Sequence, residues 1–248
     1  MKRLTFPGLL IFAATAFFLT SCGDGGTEEK TEKDTTTAET TTTPAAPEVV
    51  NTIVTTPQNM MTAMHKVSNF AKWKASYDEH DSMRMANGIH SYVIGRGVQD
   101  TNMVLVAVKA DDMAKAKAFA KDPSLKKAMQ KGGVIGTPTF GFATMVWQDT
   151  AMLGPDVIRS RTTFDVKDWD AWQKSFTAGK QERIDNGIVD RSYGYDPDNN
   201  KKVYLVTAVT DTAKAFAYYK SDALKQRRAA GGVIGEPKRF LFKVVKRY

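Results

Sequence analysis

The chain has one cysteine, Cys22, and three histidines, His65, His80 and His90, among 248 residues. A single cysteine excludes an intrachain disulfide and a thiolate metal cluster. The histidines lack the i, i+4 spacing of a helical zinc site, and G-x-S-x-G, Walker A, H-E-x-x-H and EF-hand motifs are missing. We therefore expect no metal site and no cofactor, and we find no signature of the common hydrolase or nucleotide-binding classes.

The N-terminal apolar stretch is short for a membrane span. Residues 4–20 form this stretch directly after Lys2 and Arg3, and no basic cluster follows it. Roughly 20 apolar residues are needed to cross a bilayer, whereas a basic start followed by a shorter apolar run is typical of a secretory signal. Residues 1–21 are therefore predicted to be a signal peptide rather than a transmembrane anchor.

The sequence LTSC at residues 19–22 resembles the lipobox of bacterial lipoproteins. This resemblance implies cleavage before Cys22 and attachment of diacylglycerol and an N-acyl chain, such as palmitate, to that residue. Several acyl chains would hold the protein firmly on a membrane. Because Gly23, and not an aspartate, follows the cysteine, the resemblance also implies sorting to the outer membrane of a bacterial envelope, on its periplasmic or surface face.

Residues 22–51 are predicted to be a disordered tether, because they are rich in Thr and Pro and have little to bury. Seven acidic and two basic residues lie between positions 23 and 50, although the whole chain has a net charge of +8. The remainder is therefore strongly basic. This charge favours an anionic envelope ligand, or it reflects a solvated basic surface. We do not expect nucleic acid to be the partner of an exported protein.

The rest of the chain is an internal duplication with an offset of ninety-nine residues. About a third of the overlaid positions are identical, among them Trp73 with Trp172 and Arg84 with Arg183. The sequence GGVIG occurs at 132–136 and again at 231–235. An offset this long indicates a duplicated domain rather than a solenoid unit. We assign residues 52–150 to the first repeat and residues 151–248 to the second.

Each repeat is predicted to have the order β-α-β-β-α-β. Asn69 and Asp168 are suitable N-caps for an aromatic first helix that ends at Asn87-Gly88 in one repeat and at Asn186-Gly187 in the other. The second helix ends at the GGVIG glycines, and Gly-x-Pro is expected to turn the chain into the last strand. A phosphate-binding loop is the wrong assignment for these glycines, because they follow a helix C-terminus, where the dipole is negative.

The sequences FAKWKASYDEHDSMR, NGI and SLKKAMQKGGVIGTPTF resemble those of the dimeric α+β-barrel superfamily. Its members include cofactor-free antibiotic-biosynthesis monooxygenases, stress-responsive barrel proteins and haem-binding chlorite-dismutase relatives. The resemblance implies an α+β fold in which two ferredoxin-like β-α-β-β-α-β repeats pack sheet to sheet as an intramolecular α+β barrel. Because the repeats pair within the chain, no homo-oligomer is required.

Candidate site residues cluster on the first helix. His80 and Arg84 are four residues apart, face the same way, and form a candidate base and anion-binding pair. The monooxygenase relatives use Asn, Trp and Tyr, types that Asn87, Trp73 and Tyr77 supply, although core packing and capping are open as their roles. The remaining candidates for ligand contact are Arg84, Arg183, His65 and His90. By resemblance, one axial histidine would suffice for haem.

Two functions follow from these patterns. The first is a non-enzymatic envelope lipoprotein that binds a small apolar or anionic ligand or serves as an interaction module. The alternative is a cofactor-independent monooxygenase or isomerase with a pocket near His80 and Arg84. A cavity that reaches these two residues is the feature that would favour ligand binding or catalysis over a structural role.

Overall fold

The computed structural model of the chain describes residues 51–248. The predicted signal peptide, Cys22 and the predicted tether up to residue 50 lie outside the described residues. Between residues 51 and 248, no helix is long and apolar enough to cross a membrane.

Both repeats follow the predicted order of elements. The first contains β1 (Ile53–Val54), β2 (Gln58–Val67), α1 (Phe70–Glu79), α2 (Asp81–Ala86), β3 (Ile89–Gly97), β4 (Met103–Ala110), α3 (Met113–Phe119), α4 (Pro123–Lys131) and β5 (Val134–Asp149). The second contains β6 (Ile158–Val166), α5 (Trp169–Ala178), α6 (Lys180–Asp185), β7 (Ile188–Asp196), β8 (Asn199–Val209), α7 (Thr212–Lys220), α8 (Asp222–Ala230) and β9 (Val233–Arg247).

The helix starts are fixed by side-chain caps at equivalent positions. Asn69 and Asp168 accept hydrogen bonds from the backbone N–H three residues later, at 2.9 and 2.8 Å. Asp112 and Asp211 cap α3 and α7 in the same way, at 2.7 and 3.0 Å. Each cap satisfies a backbone donor that has no partner within the helix. The predicted caps are confirmed.

The first helix of each repeat is broken, which the periodicity did not predict. In the first repeat α1 ends at Glu79 and α2 begins at Asp81, and the equivalent break in the second repeat lies at Gly179. An arginine of the second segment compensates for the break, because Arg84 Nη1 donates to the Tyr77 carbonyl at 2.7 Å. Arg183 Nη1 donates to the Phe176 carbonyl at the same distance. The duplicated arginine slot is thus partly structural.

Eight antiparallel strands close into a barrel in the order β5-β2-β4-β3-β9-β6-β8-β7, and β7 returns to β5. The two repeats meet along two seams, β3 with β9 and β5 with β7. The seams have equivalent registers, since Gly95 pairs with Val244 in one and Gly194 pairs with Met145 in the other. The predicted α+β fold with an intramolecular barrel is confirmed, and backbone pairing along both edges joins the two sheets.

Glycine is required where β7 crosses β5. A Cβ atom on Gly194 would lie 2.1 Å from the carbonyl oxygen of Thr144, a distance that only backbone movement could relieve. At the equivalent Gly95 a Cβ would instead meet the ring of Phe242 at 2.3 Å. Close approach of the strands therefore explains a glycine at the same place in both seams.

The GGVIG motif builds a bulge, which differs from the expected turn into the last strand. The strand already begins at Val134, and its register with β2 shifts between Met64 and Lys66, opposite His65. Gly136 has a φ of +73°, a conformation that glycine adopts without strain. Pro138 follows, and proline has no backbone N–H to lose at a bulge. The equivalent bulge of β9 lies opposite Phe164.

The barrel wall has two buried faces. On the outer face of the first repeat, the strand residues Val67 and Ile89 belong to one hydrophobic cluster with Trp73 of α1. The inner face contributes a separate cluster to the barrel interior, which includes Met60 and Tyr204. Each strand therefore presents alternate residues to the helices and to the interior.

Candidate ligand-binding site

A pocket lies between the helices of the first repeat and the outer face of its sheet. It has a volume of about 70 Å³, which holds roughly five water-sized groups. We call it the first-repeat pocket. Its walls are mainly apolar and include Met61, Ala63, Met83, Val106, Phe119 and Met129. The candidates His65, Trp73, Tyr77, His80 and Arg84 also line it.

His65 is the most deeply buried polar group of this pocket. It lies on β2 with 3% of its surface exposed, and its ring centroid is 5.5 Å from that of Trp73. Neither ring nitrogen has a hydrogen-bond partner among residues 51–248. Burial lowers the pKa of His65 from its ordinary 6.5 to about 4, because charging the ring inside the protein is unfavourable. The imidazole is therefore neutral at pH 7.

His80 lies at the break between α1 and α2 and is half-buried at the edge of the pocket. Its Nδ1 donates to the Ser76 carbonyl at 2.7 Å, an arrangement that requires the proton on Nδ1. Nε2 of the neutral ring is then an acceptor. The structure thus brings His80 and Arg84 to one pocket, as the sequence analysis predicts.

Arg84 is 6% exposed, and two of its three side-chain nitrogens donate within its own helices. Besides the Tyr77 carbonyl, it donates through Nη2 to Asp81 Oδ1 at 2.8 Å, and its guanidinium lies 3.6 Å from the centroid of the Tyr77 ring. Its Nε is buried and has no partner in the described part of the chain. The arginine therefore holds the helix break, and its Nε is left without a protein partner among the described residues.

The aromatic candidates are part of the helix packing as well as the pocket wall. Trp73 is 3% exposed and stacks on Tyr77 with ring centroids 5.3 Å apart. The Tyr77 hydroxyl lies 2.8 Å from Ser91 Oγ, and burial raises the pKa of Tyr77, an effect that the Ser91 hydrogen bond opposes. Asn87 donates to the Met83 carbonyl at 2.8 Å at the end of α2, which is a capping role.

His90 lies outside the pocket. Its Nε2 is 2.9 Å from an Asp111 carboxylate oxygen, and its side chain is 40% exposed. It is not among the residues that line any of the cavities described here. The structure therefore does not bring this candidate together with His65, His80 or Arg84.

The second repeat has an equivalent pocket with more polar and basic side chains, which we call the second-repeat pocket. Its volume is about 90 Å³, and Arg183 lines it as Arg84 lines the first. At the offset of ninety-nine residues, polar side chains replace apolar ones. Ser160, Thr162, Thr207, Tyr218, Arg228 and Arg239 stand where the first repeat has Met61, Ala63, Val108, Phe119, Met129 and Phe140. Phe164 takes the place of His65.

A third cavity, which no sequence motif predicted, lies inside the barrel. It has a volume of about 100 Å³, and four arginines line it: Arg159, Arg161, Arg191 and Arg247. A usable signal was present, since Arg159 and Arg161 occupy alternate positions of one strand. Such alternation places both side chains on the same face.

The residues of the first-repeat pocket do not fit haem. His65 is the buried histidine that an axial ligand requires, but Trp73 packs against its ring and the space beside it is about 70 Å³. The planar haem macrocycle needs a far larger slot than this pocket provides. Within residues 51–248, no group of three or more His, Cys, Asp and Glu side chains is placed to hold a metal ion.

No family profile and no curated protein matches the sequence of the chain. The structure is similar to that of a proposed monooxygenase from Fusobacterium nucleatum subsp. nucleatum, with a TM-score of 0.51 and 13% identity over 77% of this chain and 93% of that chain. It is also similar to an anthrone oxidase-like protein, with a TM-score of 0.53 and 14% identity over 79% and 95% of the two chains. At these identities the likeness concerns the fold. The chain has the mixed α+β fold of the dimeric α+β-barrel proteins, in the form of a tandem ferredoxin-like duplication.

Proposed function

We propose that the chain binds a small, largely apolar ligand with one hydrogen-bonding group in the first-repeat pocket. The observation that carries this proposal is His65, a buried imidazole that lines the pocket and has no protein partner for either ring nitrogen among the described residues. An unpaired buried polar group costs about 1–3 kcal/mol. A ligand hydroxyl would remove this cost, because a neutral imidazole both donates and accepts.

The walls of the pocket suit an adaptable apolar ligand. Met61, Met83 and Met129 are among its lining residues, and unbranched methionine side chains rearrange easily around a bound molecule. A surface groove of about 370 Å³ shares Leu125, Met129 and Phe140 with the pocket. These three side chains therefore separate the pocket from the surface, and their movement supplies a route for entry.

The test compares two ligands of nearly equal shape, phenol and toluene, by calorimetric titration. Wild-type protein is expected to bind phenol about tenfold more tightly, because the phenol hydroxyl pairs with His65. His65→Phe, which installs the residue of the second repeat, is expected to lose this preference and retain the binding of toluene.

His90→Gln is the matched control, since it removes an exposed histidine outside the pocket. It is expected to keep the preference for phenol. Equal affinities of the wild type for phenol and toluene, or an unchanged preference in His65→Phe, would refute the role of His65.

A cofactor-independent oxygenase or isomerase is the second candidate function. It is supported by the position of His65, whose imidazole lines the pocket without a protein partner among the described residues and can accept a proton where the negative charge that develops on the substrate offsets the cost of a buried imidazolium. The likeness in fold to a proposed monooxygenase and to an anthrone oxidase-like protein is consistent with this chemistry. With dioxygen as oxidant, an activated CH₂ group would become a carbonyl and the second oxygen atom would leave as water. Oxygen consumption that His65→Phe abolishes would favour this candidate.

We also propose that the mature protein is anchored through acylated Cys22 in the outer membrane of a bacterial envelope, where its ligand is encountered. The support is the LTSC sequence at residues 19–22, which follows a basic start and an apolar run. Cys22→Ser is expected to move the protein from the membrane fraction to the soluble fraction, because no acyl chain is attached. Ser21→Ala keeps the cysteine and is expected to remain membrane-bound. Membrane association of Cys22→Ser equal to that of the wild type would refute the anchor.

A further inference from the structure

The barrel interior is lined by four arginines, two of them buried and two half-buried, that the proposed pocket does not use. Arg159 and Arg161 lie on β6, Arg191 on β7 and Arg247 on β9, and all four line the interior cavity of about 100 Å³. We call them the arginine cluster. An eight-stranded barrel is wide enough to be filled by side chains or to hold one small ligand.

One carboxylate neutralises part of this charge. Asp149 accepts from Arg191 Nη1 at 2.8 Å, while Arg191 Nη2 donates to the Ala151 carbonyl. Within residues 51–248, the other three arginines have no carboxylate within 4 Å. Four guanidinium groups thus share a single carboxylate partner.

The donors of the three uncompensated arginines are mostly free for a ligand. Arg159 is 4% exposed, and its one hydrogen bond within the described residues runs from Nη1 to the Val157 carbonyl at 3.1 Å. Arg161 makes long contacts, from Nη2 to Thr62 Oγ1 at 3.5 Å and from Nη1 to the sulfur of Met64 at 3.7 Å.

Arg247 also makes a weak contact, from Nη1 to the Tyr92 hydroxyl at 3.4 Å. Contacts of this length are weaker than the 2.7–2.9 Å bonds that guanidinium groups form with oxyanions.

The electrostatics of the cluster are unfavourable without a counter-charge. Burial, together with repulsion from Arg191 and Arg247, lowers the pKa of Arg159 to about 10. Arg159 nevertheless remains protonated at neutral pH. Like charges held together away from water repel one another and destabilise the folded state. An anion bound between the guanidinium groups would add attractive interactions that offset this repulsion.

The first repeat carries no charge at the equivalent positions of its strands. Met60, Thr62, Tyr92 and Gln148 occupy these positions at an offset of ninety-nine residues. All four are uncharged, although the strands of the first repeat have the same order as those of the second. The positive charge is therefore a property of one half of the interior rather than of the fold.

We propose that the barrel interior is a binding site for a small oxyanion with more than one negative charge, a phosphate or a dicarboxylate, held by Arg159, Arg161 and Arg247. Planar guanidinium groups bind carboxylate and phosphate oxygens in pairs, which suits them to such a ligand. Three uncompensated positive charges favour a divalent anion over a monovalent one. This site is separate from the first-repeat pocket and does not depend on the function proposed for it.

The experiment measures thermal unfolding and calorimetric binding of the full-length protein with phosphate, succinate, acetate and chloride at matched ionic strength. Phosphate or succinate is expected to raise the melting temperature with its concentration, as a ligand of the folded state does. Acetate and chloride are expected to produce a much smaller rise. A stronger response to phosphate or to succinate identifies which of the two oxyanions the site prefers.

Arg159→Met keeps an unbranched apolar side chain in place of the aliphatic part of the arginine and removes its charge. We expect it to bind phosphate at least about tenfold more weakly, since a charge-assisted hydrogen bond contributes about 1.5–3 kcal/mol. In buffer without a divalent anion we expect Arg159→Met to melt above the wild type, and at saturating phosphate below it. Arg247→Met is a second variant, and we expect its melting temperature also to lie above that of the wild type without a divalent anion and below it at saturating phosphate.

Lys127→Met is the control, because it removes one positive charge from an exposed position on α4. It is expected to bind phosphate with wild-type affinity. The proposal is overturned if phosphate and succinate stabilise the wild type no more than chloride does, or if Arg159→Met lowers the melting temperature equally in both buffers. The second result would assign the arginine a purely structural role.

Discussion

Asp190→Asn is expected to lower the free energy of unfolding by about 3–5 kcal/mol, the usual effect of removing one partner of a buried ion pair. Arg183 donates to the two carboxylate oxygens of Asp190 through Nε at 2.8 Å and through Nη2 at 2.6 Å. Both side chains are 7% exposed. An asparagine leaves the guanidinium charged, buried and without its counter-charge. Urea denaturation at pH 7 measures the change.

The first repeat provides the matched control for this prediction. Arg84 holds the same slot as Arg183, but its partner is Asp81, whose side chain is 56% exposed. Asp81→Asn is therefore expected to cost less than Asp190→Asn, because water reaches the Asp81 carboxylate and weakens its interaction with Arg84. Equal losses in Asp81→Asn and Asp190→Asn would contradict the argument from burial.

A double replacement separates the charge from the packing. Arg183→Met combined with Asp190→Leu removes both charges and keeps apolar volume, and it is expected to recover much of the stability that Asp190→Asn loses. A double variant that is less stable than Asp190→Asn would show that the hydrogen bonds of Arg183 and Asp190 stabilise the fold beyond the neutralisation of each charge by the other.

Acid is expected to destabilise the protein by roughly 3 kcal/mol through His65 alone. The pKa of His65 is about 4 in the folded protein and 6.5 in the unfolded chain. Between these values the unfolded chain binds a proton that the folded protein excludes. Above pH 6.5 protonation of His65 therefore takes nothing from the free energy of unfolding, and the loss of stability grows as the pH falls from 6.5 toward 4. At 1.36 kcal/mol per pH unit, this interval gives the stated magnitude.

His65→Phe isolates this contribution, because the other acid-sensitive groups are common to both proteins. Urea midpoints at pH 7.5 and pH 4.5 are expected to differ less in His65→Phe than in the wild type. Phe164→His, the reciprocal exchange in the second repeat, is expected to acquire the steeper dependence. Parallel curves for the wild type and His65→Phe would show that burial does not suppress protonation at this position.

Much of the fold could be predicted from the sequence, because the same pattern of caps, aromatic residues and glycines occurs in both repeats. Aromatic spacing, caps such as Asn69 and Asp168, and the two GGVIG stretches gave the order of elements in both repeats. The helix break at His80 could not be predicted from periodicity, because α1 and α2 together continue the helical spacing. The carbonyl that the break frees is satisfied by the side chain of Arg84, a contact between residues seven apart.

The candidate site was predicted in part. His80 and Arg84 face one pocket as expected. The sequence offered His65 as a candidate but did not indicate its burial, because this burial depends on contact with Trp73 and on the bulge opposite His65. The arginine cluster was missed for a different cause. On an isolated strand the alternate positions of Arg159 and Arg161 indicate a solvated face, and closure of the barrel turns that face inward.

The two seams have a consequence for how the interior evolves. A barrel assembled from two identical chains would carry every inward substitution on both halves, so the four arginines would become eight around one cavity. In a single chain that contains both halves, a substitution in one half is not repeated in the other. The equivalent registers of the two seams keep the barrel closed although the two halves differ in sequence. One half of the wall accordingly carries the four arginines, while the other carries Met60, Thr62, Tyr92 and Gln148 at the equivalent positions.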